Sequence, residues 1–204
     1  MSSDAFDVAV QVTRAEARVG TAFRTGPGVT VLFGRSGAGK TTILDMIAGL
    51  VRPDRGHVRV GGRALFDHRA EVDLPPDRRR AGYVFQDARL FPHRRVRANL
   101  LYGAAGDARL AEVAAMLDIA HLLDRWPRGL SGGEAKRVAI GRALLSDPDF
   151  LLLDEPLASL DAARAEEVMR ALEALRDGTR LPMILVTHDA AEAERLGNHL
   201  VPVY

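Results

Sequence analysis

The sequence predicts an α/β protein with a mainly parallel core sheet, an antiparallel β part near the N-terminus and an inserted helical subdomain over about 88–146. Three observations lead there. Strand-like and helix-like stretches alternate through most of the chain, as parallel strands joined by helical crossovers do. The run "FLLLDE" (150–155) is continuously apolar and closes on two carboxylates, the pattern of a strand covered on both faces. The glycine-rich stretch "GRSGAGKT" (34–41) stands between a β-branched segment and an amphipathic one.

Element by element, "FDVAVQV" (6–12) and "ARVGTAF" (17–23) alternate apolar and polar residues and read as half-buried strands. "GVTVLFG" (28–34) is a denser strand leading into the glycine loop. "KTTILDMIAGL" (40–50) then places Ile43, Leu44, Ile47 and Leu50 on one helical face, with Pro53 as a stop. "HVRVGGRALF" (57–66) is a hairpin around Gly61 and Gly62. "AGYVFQ" (81–86) is a further strand. Strand signals then vanish from Asp87 to about Ser146, where 108–119 and 132–146 read as helices, a short helix is expected at 120–126, and Ser131 is placed as a cap. After "FLLLDE" come a helix at 163–177, a buried strand at 182–188 and a helix at 189–197; "HLVPVY" is a candidate closing strand. One domain over 1–204 is expected, with its core in 1–87 and 147–204.

Composition bounds the chemistry. Apolar residues make up 47% and charged residues 27%, an ordinary globular balance. Net charge is +1, so no overall field points to nucleic acid. Cysteine is absent, which removes disulfides, thiolate metal sites and thiol nucleophiles. The start carries no signal-peptide pattern, and no apolar run approaches the roughly 20 residues that span a bilayer. The arginine clusters at 77–80 and 93–97 read as solvated faces. Lysine occurs only at positions 40 and 136.

Gly34, Arg35, Ser36, Gly37, Ala38, Gly39, Lys40 and Thr41, with Thr42 following, fit the phosphate-loop pattern of nucleoside triphosphatases. Glycines let backbone N–H groups approach phosphate oxygens, and the helix that follows favours an anion at its N-terminus. A compact ammonium at Lys40 suits the β- and γ-phosphates, where a planar guanidinium would not fit. The Thr41 hydroxyl is a candidate Mg²⁺ ligand. Asp154 and Glu155 end a buried strand on the side where open α/β sheets bind ligands. Strand alternation assigns them different tasks: Asp154 to the Mg²⁺ shell, Glu155 to the water that attacks the γ-phosphate.

The ordered set of phosphate loop, Gln86 in "YVFQD", "LSGGE" (130–134), "LLLDEP", "SLD" (159–161) and His188 in "LVTHD" resembles the ATP-binding cassette ATPases of ABC transporters. The resemblance implies a P-loop fold with an inserted helical part, and ATP and Mg²⁺ as cofactors. It also implies a head-to-tail homodimer in which Ser131, Gly132, Gly133 and Glu134 of one chain meet the nucleotide on the other, with Asp161 across the interface. By the same resemblance Gln86 joins the Mg²⁺ and water contacts, and His188 bonds the γ-phosphate and the attacking water. The stretches 74–103 and 130–161 look most like ATPase subunits of bacterial molybdate importers. That implies ATP hydrolysis coupled to transport of molybdate or tungstate. The partners implied are membrane permease subunits, with a substrate-binding protein upstream, at the cytoplasmic face of the bacterial inner membrane; no nucleic-acid partner is implied. An importer ATPase for sulfate, iron or polyamine, a soluble cassette ATPase and a nucleotide-binding regulator are the alternatives.

Three departures from the family pattern stand out. "VAVQVTRAEARV" (8–19) holds no aromatic to stack on adenine. Lys136 occupies a place where glutamine is usual and reads as a solvated helix position, with a contact near the partner's nucleotide as the alternative. The chain stops at Tyr204, where family members usually continue, so no C-terminal oxyanion-sensing domain and reduced stability as an isolated monomer are expected.

Overall fold

The computed structural model describes residues 4–14 and 17–204. Two five-stranded sheets face each other. The first holds β1 (Phe6–Arg14), β2 (Ala17–Thr25), β4 (Arg55–Val60), β5 (Arg63–Asp67) and β6 (Val72–Asp73) in the antiparallel order β2-β1-β4-β5-β6. The second is wholly parallel and holds β3 (Val29–Phe33), β7 (Ala81–Val84), β8 (Phe150–Asp154), β9 (Met183–Thr187) and β10 (His199–Pro202), ordered β10-β3-β9-β8-β7. The closing strand expected from "HLVPVY" is therefore present, paired with β3.

The pleat of the parallel strands divides the core in two. Phe150 and Leu152 of β8, with Ile184 and Val186 of β9, point toward the antiparallel sheet and α1 (Lys40–Ala48). Leu151, Leu153, Met183 and Leu185 point the other way, into a second core shared with the helices. Those helices are α3 (Val96–Leu100), α4 (Leu110–Met116), α5 (Gly132–Leu145), α6 (Ala162–Gly178) and α7 (Ala190–Leu196). Every residue of β8 and β9 is buried, as their continuous apolar sequences require.

Several expectations change. The helix at 40–50 stops at Ala48 because Gly49 takes a left-handed φ of 83°, leaving Leu50 outside it and 52% exposed. The short helix expected at 120–126 is a three-residue 3-10 helix at Ala120–Leu122, and another follows at Pro127–Gly129. The two-residue β6, the four-residue α2 (Pro76–Arg79) and the five-residue α3 were not expected; each is too short to carry a period.

The arginine cluster at 77–80 is not simply a solvated face. Arg79 is 1% exposed. It donates to the carbonyls of Met46 (2.9 Å) and Ile47 (3.0 Å), satisfying the open C-terminal end of α1, and to Leu74 O (2.7 Å), while pairing with Asp73. Arg79→Met keeps the apolar stem and abandons those acceptors. It is expected to cost about 2–4 kcal/mol, read as a lower urea midpoint at unchanged slope.

Candidate functional site

The parallel strands β3, β8 and β9 end side by side, Phe33 level with Thr187 and Asp154 level with Val186. That register carries the chemistry-bearing residues of three distant segments to one rim. After β3 the chain turns through the glycine loop, with Gly37 and Gly39 at φ of 82° and 86°. Gly39 caps α1 in the left-handed region, and a Cβ there would come within 2.5 Å of Val19 on β2, so only glycine fits. Lys40, the first residue of α1, is 4% exposed, and its ammonium donates to Gly34 O and Arg35 O, both at 2.8 Å.

Thr41 Oγ1 donates to Asp154 Oδ1 at 3.1 Å, joining loop and strand end. Burial pushes the Asp154 carboxyl above its usual range; the Thr41 bond pulls it down, while Glu155 and Asp45 push it further up. The strand-alternation argument for the carboxylate pair needs correction. β8 ends at Asp154, and Glu155 lies beyond it at a left-handed φ of 42°, so a turn rather than the pleat separates the two side chains. This strained backbone aims Glu155 at the loop: its Oε1 stands 3.9 Å from Lys40 Nζ and 3.4 Å from His188 Nδ1. His188 follows β9 and is exposed. Its backbone is braced on both sides, because Thr187 Oγ1 donates to Glu192 and accepts from the Asp189 amide, while Asp189 caps α7.

Ser131 caps α5 with the full reciprocal box expected from "SGGE": its hydroxyl accepts from the Glu134 amide, and Glu134 accepts from the Ser131 amide at 2.6 Å. Burial opposes ionisation of Glu134, but the Ser131 donors and two nearby arginines hold its carboxyl below the usual range. Gly132 and Gly133 lie against Leu160 and Arg164, at the start of α6, whose cap is Asp161. Among the described residues no hydrogen bond or ion pair joins Ser131–Glu134 or Asp161 to the glycine loop within one chain. Gln86 is exposed just past β7. The region expected to lack an adenine-stacking aromatic lies on β1 and β2, apart from residues 15 and 16, which are outside the described ones.

Lys136 was read as solvent-facing, and it is not. It is 5% exposed and donates to the carbonyls of Phe85 (3.4 Å) and Gln86. Burial pushes its ammonium pKa down, against the pull of Asp87, Asp154 and Glu155. The signal that could have found it is its rarity: wherever charge alone suffices this chain writes arginine.

The donors at the rim fit Mg²⁺. Thr41 and Asp154 offer hard oxygens, and no cluster of three or more His, Cys, Asp or Glu able to hold a metal exists among the described residues. A metal held there would take its remaining ligands from phosphate and water oxygens, the usual Mg²⁺ arrangement. No helix among the described residues is long and apolar enough to cross a membrane.

A strand, a left-handed glycine loop, a helix N-terminus and a buried strand-end carboxylate define a P-loop nucleotide-binding domain. The model of the ABC transporter family matches residues 22–158, and the chain belongs to that family. It is 54% identical over 184 residues to the molybdenum import ATP-binding protein ModC of Brucella melitensis, covering 88% of this chain and 51% of that protein. The protein of that name from Paramagnetospirillum magneticum is 49% identical over 200 residues, 95% of this chain and 55% of the relative. The chain thus spans about half the length of these curated relatives. Among solved structures, cbiO1 from Clostridium perfringens, part of an ABC transporter complex, superposes with a TM-score of 0.84 at 25% identity, covering 98% of this chain and 85% of that one. A dimeric ATP-binding cassette in a post-hydrolysis state with ADP and phosphate superposes at 0.75 with 26% identity, covering 97% and 92%.

Proposed function

We propose that the chain is the ATP-hydrolysing subunit of an ABC importer for an oxyanion, molybdate or tungstate. The observation that carries the hydrolytic part is the convergence of Lys40, Thr41, Asp154, Glu155 and His188 on one rim. The naming of the curated relatives supports the ion. Residues 34–42 would hold the triphosphate through loop amides and the Lys40 ammonium. Thr41 and Asp154 would hold Mg²⁺, with Gln86 beside them; bound there, the metal neutralises phosphate charge. Glu155 orients the attacking water and takes its proton, and His188, fixed against Glu155, donates toward the γ-phosphate.

Ser131, Gly132, Gly133 and Glu134 stand at the N-terminus of a 14-residue helix whose amides suit an anion, and Asp161 stands close by. Among the described residues they make no hydrogen bond or ion pair to the loop of their own chain, and they would serve the nucleotide of a second copy packed head to tail. The permease subunits would dock where 88–100 borders a cavity of about 440 Å³ lined by Tyr83, Phe85, Arg89, Phe91, Tyr102 and Arg142. Arg89 lies over the Phe85 ring and Arg94 over Phe91 and Tyr102, an aromatic and cationic surface of the kind interfaces use. On this reading the chain would work at the cytoplasmic face of the inner membrane, fed by a substrate-binding protein outside.

Mg²⁺-dependent ATP hydrolysis by the purified chain is expected to rise in specific activity with protein concentration, because a complete site takes residues from two copies. Constant specific activity across the dilution series would overturn the two-chain site, and failure to bind ATP would overturn the function.

A further inference from the structure

Past Val84 the backbone leaves the parallel sheet, and its carbonyls need other donors. Helix α5 supplies them from two positions. Lys136 Nζ reaches Phe85 O at 3.4 Å and Gln86 O; one and a half turns on, Arg142 reaches Ala88 O at 3.1 Å and Arg89 O at 2.9 Å. Only Asp87 in the segment 85–89 has a carbonyl that α5 does not engage, and its carboxylate draws on the Lys136 ammonium. Lys136 is itself buried, which limits the competition of water for its two bonds. Arg89 sits at a left-handed φ of 46° with its guanidinium 3.9 Å from the Phe85 ring centroid, which folds the segment back on itself.

We propose that Lys136 and Arg142 clamp the Gln86 loop onto α5 so that loop and helix move as one body, with Lys136 the positioning residue that sets Gln86 at the phosphate rim. The inference rests on the proposed function for its consequence. Helix α5 begins at the Ser131 cap that would meet the second copy's nucleotide, and Gln86 follows β7, whose Val84 is level with Leu153 on the strand that ends at Asp154. A shift of α5 on closure is then passed to Gln86 through the carbonyl bonds. Lysine suits position 136 because a rotatable ammonium can serve two adjacent carbonyls.

The test compares wild type with Lys136→Met, which keeps the stem and removes the donors, and Lys136→Gln, which keeps an N–H donor. In Lys136→Met, amide hydrogen exchange of the ligand-free full chain is expected to quicken about tenfold in peptides covering 85–90 and to stay unchanged in β9. Its kcat for ATP is expected to fall about tenfold while KM stays within about twofold, and Lys136→Gln is expected to recover at least half of wild-type kcat. Exchange that rises equally in β9 would reduce Lys136 to a core residue and overturn the clamp. So would wild-type exchange and kcat in Lys136→Met, or a glutamine variant no better than the methionine one. Should Lys136→Met not fold, Arg142→Met carries the comparison: exchange quickened in 85–90 and unchanged in β9 supports the clamp, and wild-type exchange in 85–90 overturns it. A wild-type chain that never hydrolyses ATP would remove the proposed function, while the exchange data would still decide the clamp.

Discussion

Glu155→Gln is expected to bind MgATP as wild type does and to lose turnover by a factor on the order of 10²–10⁴, the range for a missing general base. Glutamine preserves the side-chain volume and a carbonyl oxygen for His188. The backbone is unaffected, because the Glu155 amide donates to Val186 O at 3.1 Å and the left-handed φ belongs to the turn. What disappears is the carboxylate that can accept a proton beside Lys40. If hydrolysis is what reopens a nucleotide-closed dimer, the variant should accumulate as a dimer with ATP in gel filtration, while wild type returns to monomer once ATP is consumed. A variant with wild-type kcat would remove Glu155 from the base role and leave His188 as the candidate. A variant that no longer binds nucleotide would make the Lys40–Glu155 pair, 3.9 Å apart, a structural support of the loop.

The parts legible in the sequence are those governed by local rules. The phosphate loop is readable because left-handed backbone demands glycine at 37 and 39. β8 and β9 are readable because a strand covered on both faces must be apolar throughout. The Ser131–Glu134 capping box follows from residue spacing alone. What failed was decided by backbone brought from elsewhere. Arg79 and Lys136 look like any surface cation in a charged stretch, yet each is buried by carbonyls that no local pattern announces: the frayed end of α1 for one, the loop after β7 for the other.

Asn99 is a further example, fully buried, accepting from the Phe91 amide and donating to the carbonyls of Phe91, Arg94 and Arg95, so it ties down the segment next to the aromatic groove. Both lysines of the chain do the same work on backbone carbonyls, Lys40 on the glycine loop and Lys136 on the Gln86 loop. Glu155 is the opposite case: period-two alternation does not separate it from Asp154, because the strand ends at Asp154.

Asp154→Asn is expected to make the ligand-free protein more stable and the enzyme nearly inactive. Asp154 is 3% exposed, and its carboxyl titrates above its usual range because burial, Glu155 and Asp45 all disfavour the charge. An acid whose folded pKa exceeds its unfolded value of about 3.9 binds more protons when folded. Stability is therefore highest below the unfolded pKa and falls as pH rises toward the folded one. Asparagine keeps an oxygen for the Thr41 hydroxyl and removes the charge, giving up only the attraction of Lys136. A gain of about 1 kcal/mol, or about 2–4 °C in Tm for a chain of this size, is expected at pH 7 and should vanish at low pH, where the wild-type carboxyl is protonated. The same carboxylate is the oxygen ligand proposed for Mg²⁺, so Mg²⁺-dependent hydrolysis should fall by a factor on the order of 10² or more. MgATP should also raise the Tm of wild type more than that of the variant. An asparagine variant that melts below wild type without ligand would mean that the ionised carboxylate is held favourably by Thr41 and Lys136. A gain that persists at low pH would show that charge is not its source.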